Sequence, residues 1–106
     1  MNFHKKEVFG EKEQQLAMRA KALSHPARIA ILKILSKKGS CNCNELVEAL
    51  PLSQSTVSQH LKELKNCGLI TGTAQKTSTI YSLNNSGIKI FKKDFKKLLK
   101  SVSKSK

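Results

Sequence analysis

A chain of 106 residues, 39% of them hydrophobic, has room for one small domain with a modest core. Its net charge of +13, from 20 Lys and Arg against 7 Asp and Glu, points to a polyanionic partner, with nucleic acid first and an anionic membrane surface second. Three cysteines, an odd number, without a secretory signal argue against a disulfide scaffold and for a reducing cytoplasm, and no apolar run reaches the length of a membrane span.

Residues 1–6 are polar and read as a frayed end. From about Glu7 to Leu23 the pattern is helical, with Phe9, Leu16, Ala20 and Leu23 on one side and Gln, Lys and Glu on the other. Ser24-His25-Pro26 interrupts that helix and starts the next, because proline suits a first helical turn, where its missing N–H is not needed. His25 before it reads as a capping or packing residue. Ala27 to about Lys37 is a compact helix in which Ile29, Ile31, Leu32, Ile34 and Leu35 leave only Arg28, Lys33 and Lys37 as a polar strip, so it is expected at the centre; Gly39 ends it. A short third helix from about Asn44 to Leu50 turns Leu46, Val47 and Leu50 inward. Pro51-Leu52 makes the turn, and Ser53 is the N-cap of a fourth helix that runs to Cys67.

On this fourth helix Val57, Leu61 and Leu64 recur at steps of four and three, the spacing of one buried stripe. Cys67 continues it as a buried, inert thiol. The other face carries Gln54, Ser55, Thr56, Ser58 and Gln59, short or flexible hydrogen-bonding side chains that suit base edges in a major groove, while Lys62 and Lys65 suit phosphates. An ordinary solvated helix face is the plainer reading. His60 borders the buried stripe and has two readings, a DNA contact or a partner for a backbone group. Short helix, tight turn and longer polar-faced helix make a helix-turn-helix.

Gly68 closes the fourth helix. Leu69 to Gln75 and Ser78 to Leu83 read as two strands rich in Thr, Ile and Tyr, with Ala74-Gln75-Lys76-Thr77 at the hairpin tip. A ribbon directly after a recognition helix is a wing. Lys76 and Thr77 at its tip either meet phosphate or the minor groove or form a plain exposed turn. Asn84-Asn85-Ser86 caps a last helix, where Ile88, Phe91, Phe95, Leu98 and Val102 recur as a packing seam for a second subunit or for the domain itself. Lysines 89, 92, 93, 96, 97 and 100 cover the remainder, and residues 84–106 hold eight Lys against the single Asp94. A lysine-rich amphipathic helix also suits an anionic membrane, but the helix-turn-helix already accounts for the charge, and no membrane partner is expected. Residues 103–106 read as a disordered tail. The expected architecture is a single domain over 1–106, mainly α with a small β-hairpin: a winged helix-turn-helix in the order α-α-α-α-β-β-α.

Leu23-Ser24-His25-Pro26-Ala27-Arg28, Ile31-Leu32, Leu35, Glu45-Leu46, Leu50, the run SQSTVSQHL from Ser53 to Leu61, Leu64 and Gly68-Leu69-Ile70 resemble the ArsR family of bacterial winged-helix repressors. LSHPAR or SQSTVSQHL alone is weak; the two at this separation are specific. The resemblance runs from about residue 16 to about residue 100. It implies a symmetric homodimer whose first and last helices pair across the two-fold, through Leu16, Ala20, Ile88, Phe91, Phe95 and Leu98. It implies that two recognition helices enter successive major grooves of a double-stranded DNA operator. It also implies negative regulation, an inducer releasing the DNA.

Cys41-Asn42-Cys43 is the remaining constellation. Thiolates bind soft metal ions and metalloids, and in an extended segment residues two apart share a side, so both sulfurs could hold one ion. Within the family, a Cys-x-Cys pair near the start of this short helix senses arsenite and antimonite, with a third thiolate nearby; other members join a similar pair to N-terminal cysteines for cadmium, lead or zinc. This chain departs from both patterns: no third cysteine follows closely, and the N-terminus offers only His4. Three readings stand, namely As(III)/Sb(III) or Zn(II)/Cd(II) at Cys41 and Cys43, thiol oxidation, and no sensing role. The last helix lacks the His and Asp set that some members use for zinc or nickel. No cofactor is required.

No phosphate-binding glycine loop, no paired carboxylates with a partnering His and no Ser-His-Asp set can be nominated, so an enzyme is not expected. The expected function is sequence-specific, homodimeric DNA binding that represses transcription. Two alternatives compete with it. One is a winged-helix module that binds protein and uses its charge for solubility; the other is a regulator of the same fold that senses an organic ligand or nothing.

Overall fold

The computed structural model describes residues 8–103. Among them the elements run α1 (Glu11–Ala22), α2 (Pro26–Lys38), α3 (Cys43–Ala49), α4 (Gln54–Asn66), β1 (Ile70–Gln75), β2 (Ser78–Leu83) and α5 (Asn85–Val102), in the expected order. The expected frayed end at 1–6, the tail at 104–106 and His4 lie outside the described residues, while Ser103 is the C-cap of α5.

Glu7, the expected start of this helix, lies outside the described residues; Val8 is helical, the helical run breaks at Phe9, and α1 starts at Glu11 with Gly10, in extended backbone, as its N-cap. Phe9 is thereby left off the helix and 56% exposed, not on an inner stripe. Pro26 opens α2, and Gly39 is its C-cap. Ile31 and Leu35 are fully buried, and Leu32 and Ile34 pack against them, but Ile29 is exposed. The polar strip of α2 is therefore wider than the sequence suggests. α3 starts one residue early, at Cys43. Asn42 and Glu45 form a capping box there: the Asn42 side chain accepts the Glu45 N–H at 2.9 Å, and Glu45 Oε1 accepts the Asn42 N–H at 2.8 Å. Ser53 caps α4, its Oγ accepting the Thr56 N–H at 3.3 Å.

The core gathers Ile31 and Leu35 of α2, Leu46 of α3, Val57, Leu61 and Leu64 of α4, and Leu69 and Ile70 entering the hairpin. Each such side chain contributes about 1.5–3 kcal/mol on leaving water. α4 packs on α2, α3, α1 and β1, so one side of it is fixed to the domain along its length.

β1 and β2 pair antiparallel from Ile70↔Leu83 to Gln75↔Ser78, which leaves Lys76 and Thr77 as a two-residue turn. Lys76 sits at φ 55, in the left-handed region. Cys41 adds a single bridge to the ribbon: its N–H donates to the Tyr81 carbonyl at 3.0 Å, and it accepts the Tyr81 N–H at 2.8 Å.

Asn84 joins the hairpin, α4 and α5. Its Nδ2 donates to the Gly68 carbonyl at 2.9 Å, its Oδ1 accepts the Gly87 N–H at 3.3 Å, and its own N–H donates to the Leu69 carbonyl at 3.0 Å. Gly68, past the end of α4, takes φ 83, which a side chain would resist. Gly87 is buried, and a Cβ there would collide with the Gly68 carbonyl oxygen. The first turn of α5 thus sits directly on the turn that ends the helix-turn-helix.

Candidate nucleic-acid interface

α4 shows two opposite faces. Val57, Leu61 and Leu64 are fully buried, and Gln54, Ser55, Thr56, Ser58, Gln59, Lys62 and Lys65 are all exposed. The exposed side chains bond mainly to near neighbours on their own helix. Ser53 Oγ reaches Thr56 Oγ1 at 3.0 Å and Ser55 Oγ at 3.3 Å, and Gln59 Nε2 donates to Glu63 Oε2 at 3.2 Å. These bonds are solvent-exposed and worth little, so the donors and acceptors can turn to another partner without a large penalty. Glu63 as a holder of Gln59 is not among the expected site residues, although its spacing of four residues is visible in the sequence.

His60 belongs to the inner side of α4. Its Nδ1 accepts from Arg28 Nε at 3.0 Å, and its ring lies 5.6 Å from that of His25. Its partner within the domain is thus a side chain rather than the backbone group weighed from the sequence. His25 makes no side-chain cap at α2; its ring packs near His60 instead. Burial, then the nearby Arg28 and His25, push the His60 pKa down, which favours the neutral ring that can accept at Nδ1.

Two arginines that the sequence does not single out hold α4 from behind. Arg28 Nη1 donates to the Ala22 carbonyl at 3.2 Å while its Nε holds His60, so one guanidinium links the end of α1, the start of α2 and the middle of α4. Arg19 Nε donates to the Cys67 carbonyl at 3.0 Å, at the C-cap of α4. Arg28 carries the only available signal, as the charged end of LSHPAR in a strongly apolar stretch.

Lys76 and Thr77 are exposed at the tip of the hairpin. The wing therefore presents an exposed lysine at its tip.

The two nominated thiols are placed differently from one another. Cys41 is 1% exposed and belongs to the core. Cys43 is half-buried at the first turn of α3, with Sγ 4.0 Å from the Gln54 carbonyl oxygen. Burial pushes both pKa values up, for Cys41 with a further contribution from Glu45, so both favour the protonated thiol over the metal-binding thiolate. Among the described residues no group of three or more His, Cys, Asp and Glu converges on a point. Among the described residues the site therefore offers two thiol donors, one of them in the core, which is fewer than a closed metal or metalloid site takes. Cys67 is buried as expected, its Sγ 3.4 Å from the Leu64 carbonyl oxygen.

The seam of α5 divides in two. Ile88 and Phe91 pack against the domain's own core. Phe95, stacked on Phe91 at 5.5 Å, is exposed, as are Leu98, Leu99 and Val102. α5 lies against α1, where Leu16 is half-buried, Ala20 is exposed and Met18 is 45% exposed. Leu99 and Met18 extend this apolar surface beyond the residues the sequence pattern nominates. No helix among the described residues is long and apolar enough to cross a membrane.

Residues 25–71, from the start of α2 to the beginning of β1, match the family model described as bacterial regulatory protein, arsR family. The HTH-type transcriptional regulator YgaV of Escherichia coli K12 is 36% identical over 75 residues, covering 71% of this chain and 76% of that protein. The HTH-type transcriptional repressor SmtB of Mycobacterium tuberculosis is 44% identical over 63 residues, which are 59% of this chain and 46% of SmtB. The matched span is thus under half the length of that relative. The solved structure of HlyU from Vibrio cholerae superposes with a TM-score of 0.68 at 26% identity, covering 89% of this chain and 97% of HlyU. With the helix-turn-helix, its polar outer face and the hairpin in place, these likenesses identify the chain as a member of the arsR family of bacterial regulatory proteins, DNA-binding transcriptional regulators that are not enzymes.

Proposed function

We propose that this protein is a homodimeric repressor that reads a double-stranded operator with Gln54, Ser55, Thr56, Ser58 and Gln59 of α4. Lys62, Lys65 and the wing-tip pair Lys76 and Thr77 grip phosphates. One observation carries this reading: an unbroken row of amides and hydroxyls lies exposed on a helix whose opposite stripe is fully buried. Such a helix can enter a groove without unfolding any part of the core. His60 takes no direct part and positions α4 through Arg28. The half-exposed apolar surface of α1 and α5 supports the dimer, since a second copy removes Phe95, Leu98, Leu99 and Met18 from water. Repression follows where the bound dimer obstructs transcription, in keeping with the name repressor that SmtB carries. Release of DNA by a metalloid at Cys41 and Cys43 is not part of this reading, because the two thiols supply too few donors.

Selection of bound oligonucleotides from a random pool tests it. The expected product is an inverted repeat with half-sites about one helical turn apart, roughly 10–10.5 base pairs or a multiple. A pool that shows no enrichment contradicts the proposal and favours the protein-interaction module.

A further inference from the structure

α5 carries Lys89, Lys92, Lys93, Lys96, Lys97 and Lys100, and all six are exposed. At about 100° per residue they fill one flank of the helix, from Lys92 beside the apolar seam round to Lys97 opposite it. The helix's single acid, Asp94, falls on the other flank with Gly87 and Ser101, and it is half-buried. From Lys89 to Lys100 is about 16 Å of helix, a length over which one DNA strand carries about five phosphates. α5 packs on α1, so this flank is a different surface from the outer face of α4.

We propose that the lysine flank of α5 is a second duplex-binding surface, one that grips the phosphates of double-stranded DNA without reading bases. Lysine suits this role. Its ammonium is a compact charge on a flexible stem and needs no fixed geometry to meet a phosphate. The inference rests on the reading of the protein as a DNA binder, but not on which bases α4 recognises. The arrangement disfavours an anionic membrane as the partner. A helix that lies in a bilayer interface sinks its whole apolar face among acyl chains. Here Ile88 and Phe91, the first half of that face, are already packed in the domain's own core. The lysines also line one side of the seam only.

The test compares the full chain with its K93Q/K97Q/K100Q variant on a random-sequence duplex, across a range of salt concentrations. The slope of log affinity against log salt should fall by about 2–3 in the variant, at about 0.9 for each phosphate no longer neutralised. The corresponding triple Lys→Arg variant should keep the wild-type slope. The ratio of operator to random-duplex affinity should not change, and neither should the melting temperature. An unchanged slope in a variant that still binds duplex overturns this inference and leaves the α4 reading standing. A wild-type chain that binds no duplex at any salt overturns the DNA-binding reading itself. Loss of sedimentation with phosphatidylserine vesicles, alongside an unchanged DNA slope, would assign the flank to membranes and also overturn the inference.

Discussion

His60 shows how one side chain is shared between stability and placement. The neutral ring accepts from Arg28, and a protonated ring cannot. Its pKa is lower in the folded chain than in the unfolded one, so its contribution is present above the ordinary histidine range, about 6.5, and is lost as pH falls through the lower folded value. Melting temperature should therefore drop between pH 7 and pH 5 in the wild type, and drop less in His60→Leu, as followed by circular dichroism. Equal slopes in the two proteins would show that the Arg28 contact does not distinguish the protonation states. Lys76 gives a second separation of effects. It holds φ 55 at the hairpin tip, a conformation that is unfavourable for a residue with a Cβ. Lys76→Gly should leave stability unchanged or raise it by up to about 1 kcal/mol, while it lowers affinity for duplex DNA. A parallel loss of both would mean that the residue shapes the turn and does not meet phosphate. At this scale the sequence is only partly legible. The exposed positions of α4 follow from its period of about 3.6, but the Arg28–His60 pair joins residues 32 apart and has no local signature.

Among the elements, helices with strong local signals are the easiest to read. Pro26, Ser53 and Gly39 sit at helix boundaries where the sequence places them. The register of the hairpin is equally plain, because Ser78 follows Gln75 with only two residues between. The break before α1 at Phe9 and Gly10 is passed over in the sequence, since Gly10 as an N-cap competes weakly with the apolar spacing that runs through Phe9. The start of α3 is misread by one residue for the opposite reason: the capping box of Asn42 and Glu45 is a strong signal that reading for apolar residues passes over. The joint between α4 and α5 is illegible in the sequence, because Asn84 and Gly87 meet Gly68 only in three dimensions. Gly87→Ala should destabilise the protein by about 1–3 kcal/mol, the usual range for overpacking a tight contact. Asn84→Ala should cost about 0.5–2 kcal/mol as the loss of an N-cap. Urea denaturation of both variants checks this. Values near zero would mean that the two helices can separate at Gly68 without loss.

For the whole molecule the question is what covers the apolar side of α1 and α5. Phe95, Leu98, Leu99 and Val102 are exposed on a chain with a net charge of +13, and that charge alone would keep copies apart. In the proposed homodimer, association therefore has to draw on the apolar seam. Leu98→Glu should yield a monomer in sedimentation experiments with the melting temperature of the isolated domain, and operator affinity should fall at least roughly tenfold because two half-sites no longer bind together. A variant that stays dimeric would move the interface elsewhere. The seam is visible in the sequence as a periodicity, but its division is not. Ile88 and Phe91 serve the domain's own core, and only packing against the rest of the fold separates them from their neighbours.

If the outer face of α4 reads sequence while its lysines supply charge, the two kinds of side chain must fail differently. Binding of Gln59→Ala and Lys62→Ala to the selected operator and to a random duplex measures this most directly. Gln59→Ala should lose about 1–3 kcal/mol on the operator and almost nothing on the random duplex. Lys62→Ala should weaken both alike and reduce the salt slope by about 1. Equal losses on the two duplexes for both variants would contradict the assignment of base reading to this face.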